Sequence, residues 1–410
     1  MNQRNALIVG GSMAGLFTAN MLHRAGWDVV ILERATTPLS GRGTGIVTHA
    51  GMLALLRRAG VTTDTSLGVP LTRRLSFDKQ GRITAQTAFS QILMGWSRLH
   101  ALLVDALPAH CYQLNRGVAE VAFGTTNARA RAICHDGETV EADVLIGADG
   151  VRSLVRGVML PNEHLETAPY IAWRGLVRQS HLTASAQAQL GDAFVVVHEP
   201  NEELVTYPVL GDDGHVYINI VWYRRVSDAQ RGQLFTDEAG AYHPQGISPL
   251  AIRPGFVAQA KSDASAIFHP HLAEAIALAP EFLLQVIVDQ TAPVMAVGRT
   301  ALVGDAAFVA RPHVGQGVTK AGGDAWALTQ FLEAGRDDVV GALAHYSASR
   351  VPVGKRAVAR ARELGAVLMP DERSLSEWST HYSDAQNLLV DTAVELPGLA
   401  HINVMDEGVT

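Results

Sequence analysis

The feature that most constrains the fold of this chain is a glycine-rich turn close to its N-terminus, Val9–Gly15. The apolar run 6–9 before this turn predicts a short buried strand. The apolar spacing of residues 16–25 after it predicts a helix that ends at Gly26. A second apolar run, 29–32, follows directly and predicts another strand. Strand, turn, helix and strand together form a βαβ unit with a right-handed crossover.

The turn has the spacing of a dinucleotide-binding loop. Gly10 stands at the tight bend, Ser12 where a pyrophosphate approaches the backbone, and Gly15 where the helix packs against the strand. Ser12 departs from the glycine usual at that position, but it is small and its hydroxyl can contact phosphate. Glu33 ends the second strand, where its carboxylate can accept hydrogen bonds from both ribose hydroxyls. Because a helix N-terminus attracts phosphate, we predict nucleotide binding.

Composition excludes several classes of protein. The 410 residues carry a formal charge of −7 and no cluster of Lys and Arg, which argues against nucleic-acid binding. Cys111 and Cys134 are too few for a disulfide framework or a Cys-rich zinc site, and they indicate a reducing, cytoplasmic compartment. The pair His269 and His271 lacks a third ligand at metal-binding spacing, so we predict no metal site. No segment has the ~18 uninterrupted apolar residues of a membrane-spanning helix.

A second motif follows another apolar run, 140–148, which predicts one buried strand. Asp149 and Gly150 stand at its end, and Arg152 and Arg156 follow them. Taken alone, this segment can be interpreted equally well as a functional motif or as an Asp-Gly turn before a helix with solvated arginines.

A third motif begins where a predicted strand, 301–303, delivers Asp305 to its end. A carboxylate at this position can bind a polyol chain. Gly315 and Gly317 allow the backbone to approach a flat ring closely, and the following helix directs its positive end toward that ring.

In this order and spacing, the three motifs resemble those of the single-component FAD-dependent aromatic hydroxylases of the p-hydroxybenzoate hydroxylase fold. The resemblance extends over about residues 5 to 350. The patterns Gly43–Val47, Tyr170–Gly175 and Arg311–His313 are most similar to those of the pyridine hydroxylases related to 2,6-dihydroxypyridine 3-hydroxylase.

The fold class that we predict is α/β, a Rossmann-like FAD-binding domain interrupted by a mainly antiparallel-sheet substrate domain, with a helical C-terminal region. Strand patterns dominate between about Pro169 and Pro293 and support the interruption. The predicted boundaries are 1–70, 95–165 and 293–345 for the FAD-binding domain, 71–94 and 166–292 for the substrate-binding domain, and 346–410 for the helical region.

The resemblance implies a set of cofactor-binding residues, which are Gly10, Ser12, Met13, Ala14, Gly15, Glu33, Arg34, Arg98, Asp149, Asp305, Pro312, Gly315, Gln316, Gly317 and Val318. In this set, 12–14 would hold the FAD pyrophosphate, Glu33 the adenosine ribose, and Asp305 the ribityl or pyrophosphate end. Arg98 would reach the phosphate and ribose region, and 315–318 would lie beside the isoalloxazine.

The activity implied by the resemblance is aromatic hydroxylation, in which NADH or NADPH reduces FAD and O2 reacts to give a flavin C4a-hydroperoxide. Asp149 would support both FAD and the nicotinamide donor. Arg42 lies near the region that distinguishes the two donors but leaves the choice open. A base should hold or remove the substrate's hydroxyl proton, and His49 and Tyr207 are the candidates, each with a structural role as its alternative.

The predicted partners are a small electron-rich aromatic or hydroxypyridine-like ring, O2 and NAD(P)H, with no nucleic acid and no membrane span. A homodimer is left open. The alternative function is an FAD-dependent epoxidase or hydroxylase of the same fold that acts on a larger hydrophobic or antibiotic-like substrate.

Overall fold

The computed structural model describes residues 4–39, 45–63 and 67–400. Arg42, Gly43 and Thr44, and the last ten residues of the predicted C-terminal region, lie outside these ranges. Within them, no helix is long and apolar enough to cross a membrane. Nor do the described side chains of His, Cys, Asp and Glu form any group of three that could hold a metal ion.

The described residues form 17 strands and 12 α-helices. In chain order, the strands are β1 Asn5–Val9, β2 Asp28–Leu32, β3 Gly45–Val47, β4 Val69–Phe77, β5 Ile83–Gly95, β6 Tyr112–Gln113, β7 Val118–Ala122, β8 Ala130–Cys134, β9 Thr139–Ala142, β10 Val144–Gly147, β11 Glu166–Arg178, β12 Ala193–Glu199, β13 Glu202–Leu210, β14 Val216–Arg225, β15 Phe282–Asp289, β16 Ala296–Val297 and β17 Thr300–Leu302. The helices are α1 Met13–Arg24, α2 Ala50–Arg58, α3 Trp96–Asp105, α4 Leu154–Met159, α5 Ala184–Leu190, α6 Asp228–Leu234, α7 Pro254–Ile267, α8 Pro270–Leu278, α9 Gly317–Ala334, α10 Val339–Leu364, α11 Ser376–Tyr382 and α12 Ala385–Asp391.

The nucleotide-binding part is built on a six-stranded sheet in the order β16-β17-β10-β1-β2-β6. All neighbours from β17 to β6 are parallel, and β16 adds an antiparallel edge. The predicted βαβ unit is confirmed, since β1 and β2 pair in parallel and α1 connects them. Gly26 ends the helix with φ +88°, a conformation that glycine adopts without strain. Parallel strands of this kind bind ligands beyond their carboxyl ends.

One predicted strand is divided in the structure. The apolar run 140–148 forms β9, in an antiparallel three-stranded sheet with β7 and β8, and then β10 of the parallel sheet. Asp143 marks the break, where its backbone N–H donates to the Asn5 side chain at 2.8 Å and its carboxylate accepts from the Asn5 N–H at 2.9 Å. The prediction of one strand was wrong because hydrophobicity alone does not report a change of sheet partner.

The second part is an eight-stranded, mainly antiparallel sheet in the order β15-β11-β14-β13-β12-β4-β5-β3. Its side chains alternate between two faces, as strand geometry requires. Trp173 and Trp222 point into a core that is covered by α5, α7 and α8. Tyr170, Tyr207 and Tyr223 belong to the opposite face, which packs in part against α10, α11 and α12.

The predicted fold class is confirmed by these two sheets and by the helices that follow β17. The domain boundaries stay a prediction. Within the segment assigned to the nucleotide-binding part, β3 pairs with β5 of the larger sheet.

Candidate functional site

The glycine turn is as tight as its sequence predicts. Gly10 has φ +103°, and a Cβ placed there would lie 2.6 Å from the carbonyl oxygen of Ala148. A Cβ on Gly15 would lie 2.0 Å from the carbonyl oxygen of Gly10. Ser12 is the N-cap residue of α1, and its side chain makes no capping hydrogen bond. The helix N-terminus is therefore open for an anion to accept hydrogen bonds from its backbone N–H groups.

Two aromatic residues hold the turn from behind. His100 Nε2 lies 3.1 Å from the carbonyl oxygen of Gly11, and the Tyr112 hydroxyl donates to the same oxygen at 2.9 Å. Burial lowers the pKa of His100, so the neutral ring with its proton on Nε2 makes this bond. Neither residue belongs to the motif, and the sequence contains no spacing signal that identifies them.

Glu33 lies beside the turn, at the end of β2. Its carboxylate accepts hydrogen bonds from the backbone N–H of Gly11 and of Ala35, both at 2.8 Å. Each carboxylate oxygen has a further lone pair, which a ribose hydroxyl could use. The carboxylate is thus fixed close to the helix N-terminus, as the dinucleotide interpretation requires.

A cavity of about 630 Å³ connects the turn to the larger sheet, a size within the roughly 300–1,000 Å³ of small-molecule sites. Ten of the predicted residues line it, and these are Ser12, Met13, Ala14, Tyr207, Asp305, Pro312, Gly315, Gln316, Gly317 and Val318. The predicted residues outside its described lining are Gly10, Gly15, Glu33, Arg34, His49, Arg98 and Asp149.

Asp149 caps a helix. Its carboxylate accepts hydrogen bonds from the backbone N–H of Leu154 at 2.7 Å and from the Ser153 hydroxyl at the start of α4. Burial raises the pKa of this carboxyl group, and the hydrogen bonds it accepts oppose that rise. Arg156 is buried rather than solvated, and it donates to the carbonyl oxygens of Asp305 and Ala306 at 3.0 Å each. Arg156 of the second motif therefore holds the backbone of the third motif in position.

His49 is the N-cap residue of α2 and is buried behind the cavity wall. Its Nε2 lies 3.0 Å from the carbonyl oxygen of Ala393, and its Nδ1 lies 3.4 Å from the Thr319 hydroxyl. Desolvation by burial lowers the pKa of His49, which weakens it as a proton acceptor. The catalytic role predicted for His49 stays untested, and this geometry favours the structural alternative.

Asp305 faces the cavity near a buried cation. Lys320, on α9, is 2% exposed, and its Nζ makes no hydrogen bond within the described residues. This ammonium lies 3.6 Å from the carboxylate of Asp305. A buried cation without hydrogen-bond partners is unfavourable unless an anionic group lies nearby. Asp305 supplies that anionic group, and the N–H donors of Lys320 and the lone pairs of Asp305 remain available to a cofactor that carries hydroxyl groups.

The far end of the cavity is formed by the face of the large sheet that carries Tyr207. Arg174 on β11 and Tyr223 on β14 line it with Tyr207. Burial raises the pKa of Tyr207 to about 12 and also raises the pKa of Tyr223 well above its ordinary value, while the charge of Arg174 opposes both shifts. Both phenols therefore stay protonated at neutral pH and can donate hydrogen bonds. The sequence did not single out Arg174, although it stands inside a segment that carries the resemblance.

A buried polar network supports the 312–314 turn. His313 Nδ1 lies 2.9 Å from the carboxylate of Glu203, and its Nε2 lies 2.9 Å from the Tyr170 hydroxyl. Arg311 donates to Asp289 at 2.5 Å. Both ring nitrogens of His313 are thus engaged by the protein. These partners are distant in sequence, so no local pattern predicts them.

The segment 392–400, which we call the C-terminal strap, closes one side of the site. Thr392 and Ala393 line the cavity, and Ala393 has φ +52°, which is unusual for a residue with a Cβ. A Cβ on Gly315 would lie 2.5 Å from that of Ala393, so the strap requires glycine there. The side chain of Gln316 accepts a hydrogen bond from the strap backbone at 3.0 Å.

Comparison with known proteins is consistent with this geometry. A family model described as an FAD binding domain matches residues 3–247. The 2,6-dihydroxypyridine 3-monooxygenase of Paenarthrobacter nicotinovorans is 28% identical over 338 residues, which cover 80% of this chain and 83% of that protein. The FAD-dependent urate hydroxylase of Mycolicibacterium vanbaalenii is 28% identical over 396 residues, covering 93% and 92%.

The fold is also that of a solved relative. The structure of 2,6-dihydroxypyridine-3-hydroxylase from Arthrobacter nicotinovorans matches with a TM-score of 0.84 at 26% identity, covering 90% of this chain and 93% of that one. The glycine turn, the carboxylate of Glu33 and the buried ammonium of Lys320 fit FAD. The chain belongs to the FAD-binding-domain family, and it is an FAD-dependent monooxygenase of the p-hydroxybenzoate hydroxylase fold.

Proposed function

We propose that this protein hydroxylates a small, hydroxylated N-heteroaromatic ring of the hydroxypyridine type, with NADH or NADPH as electron donor. The observation that carries the proposal is the continuous cavity, which joins the dinucleotide turn to a chamber walled by Arg174, Tyr207 and Tyr223. Relatives named for 2,6-dihydroxypyridine and for urate support a nitrogen-containing ring with oxygen substituents.

The roles of this chain's residues follow from their positions. The backbone of 12–14 and the N-terminus of α1 would bind the FAD pyrophosphate, and Glu33 the adenosine ribose. Asp305 would bind the ribityl hydroxyls, and Lys320 would balance negative charge close to it. When bound, FAD supplies the activation of O2 and the transfer of one oxygen atom.

The protein also has to exclude water from the reacting atoms. Phe194, Val205 and Val221 contribute apolar surface to the chamber wall between the polar groups. The N-terminus of α9, which begins at Gly317, adds a positive dipole end beside the 315–318 segment. Such a site favours negative charge on the bound ring system.

A panel of rings tests the proposed function. We expect hydroxypyridines to stimulate NAD(P)H oxidation and O2 uptake in equal amounts and to yield hydroxylated product, because Arg174, Tyr207 and Tyr223 offer hydrogen bonds to the nitrogen and oxygen atoms of such a ring. Hydroxybenzoates and larger phenolics complete the panel. Stimulation by bulky polycyclic compounds alone would contradict the proposal and support the larger-substrate alternative.

Replacing Asp305 with asparagine is expected to weaken FAD binding. Loss of hydrogen bonds to a charged acceptor costs about 1.5–3 kcal/mol, which is roughly a 10- to 150-fold higher Kd. The measurement is an FAD titration of the apoprotein, followed by quenching of flavin fluorescence. Asp337→Asn, on an exposed residue between α9 and α10, is the matched control. Equal affinity in the two variants would remove Asp305 from the set of cofactor-binding residues.

A homodimer, a cytoplasmic location and the predicted domain boundaries remain predictions. Light scattering of the purified protein measures its oligomeric state. Limited proteolysis tests the domain boundaries, which predict cleavage near residues 70, 95, 165 and 293.

A further inference from the structure

Arg74 on β4 is a buried cation that takes no part in the binding roles described above. It is 0% exposed, and it lies outside the described lining of the cavity. Burial lowers the pKa of Arg74 to about 10, so the guanidinium remains charged at neutral pH. A charge removed from water is unfavourable unless polar groups of the protein replace the water. The contacts of Arg74 must therefore supply that replacement.

The hydrogen bonds of Arg74 join it to the end of the described chain. Nη1 donates to the carbonyl oxygens of Leu389, at 3.1 Å, and of Thr392, and Nη2 donates to that of Ala393 at 3.2 Å. Nη2 also donates to the Gln91 side chain at 2.7 Å. Leu389 lies in the last turn of α12, where carbonyl oxygens lack helical partners and carry the negative end of the helix dipole. Arg74 therefore binds the end of α12 and the first two residues of the C-terminal strap.

Two aromatic rings extend this cluster to the cavity. Arg74 Cζ lies 3.9 Å from the centroid of the Phe89 ring and 4.9 Å from that of Phe194, within the range of cation–π attraction. Phe194 stands opposite Arg74 in the pairing of β4 and β12, and its ring stacks on that of Tyr207 with 5.1 Å between centroids. Phe194 and Tyr207 line the cavity. Arg74 thus connects the aromatic wall of the cavity to the strap.

Ala393 is the point where the strap meets the rest of the site. Its carbonyl oxygen also lies 3.0 Å from His49 Nε2, and its N–H donates to the carbonyl oxygen of His313 at 3.3 Å. Its φ of +52° is strained for a residue with a Cβ, and such a conformation persists only where the surrounding contacts impose it. The contacts with Arg74, His49 and His313 do so, and they place the strap directly against Gly315.

We propose that Arg74 is a positioning residue for hydroxylation, which holds the C-terminal strap against the 315–318 segment and so keeps water out of that end of the cavity. This inference rests on the proposed function. Thr392 and Ala393 line the cavity and are 3% and 2% exposed, so the strap separates the cavity from solvent there. Where water enters, one molecule each of NAD(P)H and O2 and one proton give NAD(P)+ and H2O2, and no oxygen atom reaches the ring.

Hydrogen exchange followed by mass spectrometry tests the attachment of the strap in the FAD-loaded protein. In Arg74→Met, we expect the amides of residues 392–396 to exchange about tenfold faster or more, because three carbonyl oxygens lose hydrogen bonds to a charged donor. Arg74→Lys should retain part of the protection, since an ammonium keeps the charge but lacks the planar fork of donors. Arg73→Met is the matched control, because Arg73 precedes Arg74 on β4 but pairs with Asp192 outside the described lining of the cavity.

Coupling tests the role of the strap in the reaction, with 2,6-dihydroxypyridine as the probe. In Arg74→Met, the fraction of oxidised NAD(P)H that appears as H2O2 should rise about threefold or more, while FAD content and the rate of NAD(P)H oxidation stay within about twofold of the wild-type values. A general loss of structure would instead lower the FAD content and the rate together. The Arg73→Met control should couple as the wild-type protein does.

A second variant loosens the strap without touching the buried charge. Valine is strongly disfavoured at positive φ, so Ala393→Val should displace the strap and raise both the exchange rate and the H2O2 fraction as Arg74→Met does. Asn201→Val is its matched control, because Asn201 has φ +64° in the exposed turn between β12 and β13. This pair of variants tests the inference even if Arg74→Met does not fold.

The outcomes separate the two proposals. Unchanged exchange of the strap in the folded variants would overturn the inference, as would a strap that exchanges faster while coupling is unchanged. Either result leaves the proposed function standing. Failure of every ring in the substrate panel to stimulate turnover would overturn the proposed function, and the role of the strap in coupling with it. The exchange measurement needs no substrate, so the two failures are distinguishable.

Discussion

Replacing Gly15 with alanine is expected to strip the protein of most of its FAD. The new Cβ would lie 2.0 Å from the carbonyl oxygen of Gly10, far inside any contact distance, and a backbone atom cannot turn away as a side chain can. The start of α1 must therefore move away from β1, carrying Ser12 and the N-terminal N–H groups with it. Overpacking of this kind costs about 1–3 kcal/mol, or roughly 5- to 150-fold in the Kd for FAD.

The flavin-to-protein absorbance ratio after purification measures this loss, and titration of the apoprotein with FAD gives the affinity. Gly232→Ala is the matched control, because Gly232 lies in helix α6 with no atom within 4 Å of the added Cβ. That control should bind FAD as the wild-type protein does. Full FAD occupancy in Gly15→Ala would show that the turn does not bind the pyrophosphate as proposed.

Replacing Arg350 with methionine is expected to destabilise the whole FAD-binding part. Arg350 and Asp324 form an ion pair of 2.8 Å with side chains 0% and 3% exposed. Asp324 also accepts a hydrogen bond from the backbone N–H of Gly304 at 3.0 Å, and Arg350 donates to the carbonyl oxygen of Gly398 at 2.9 Å. Loss of the arginine leaves a buried carboxylate without its counter-charge, which costs about 3–5 kcal/mol.

Thermal unfolding followed by circular dichroism and by flavin release measures this effect. The double variant Asp324→Leu with Arg350→Met should recover part of the lost stability, because it removes the uncompensated charge as well. Arg82→Met is the control, since the Arg82 side chain is 79% exposed and its ion pair with Asp78 should contribute at most about 1 kcal/mol. A single Arg350→Met variant as stable as this control would contradict the prediction.

The glycine turn and its surroundings could be predicted from sequence because their geometry depends on local constraints. Gly10, Gly15 and Gly315 stand where the backbone bends sharply or approaches other atoms closely. Such positions require glycine, so the spacing of the glycines along the chain indicates where they lie. The same holds for the βαβ unit, whose hydrophobic runs and turns are contiguous. These elements were confirmed in the fold.

The substrate end could not be predicted in this way. Arg174, Val205 and Tyr223 come from three strands, and they share a cavity only because of the register of β11, β13 and β14. Register is a property of the assembled sheet, since one residue of slip would turn each of these side chains to the other face. The candidate base His49 illustrates the difficulty, because its proximity to a motif in sequence did not reveal that its ring contacts Ala393.

The position of the C-terminal strap has a consequence for how the protein matures. The strap is held by bonds such as that between His49 and Ala393, 344 residues apart in the chain. Contacts between such distant residues form slowly, because a long loop must close first. The βαβ unit around the glycine turn closes far shorter loops. The cavity therefore gains its last wall only when the end of the described chain has folded back onto α2, which makes its closure a late step of folding.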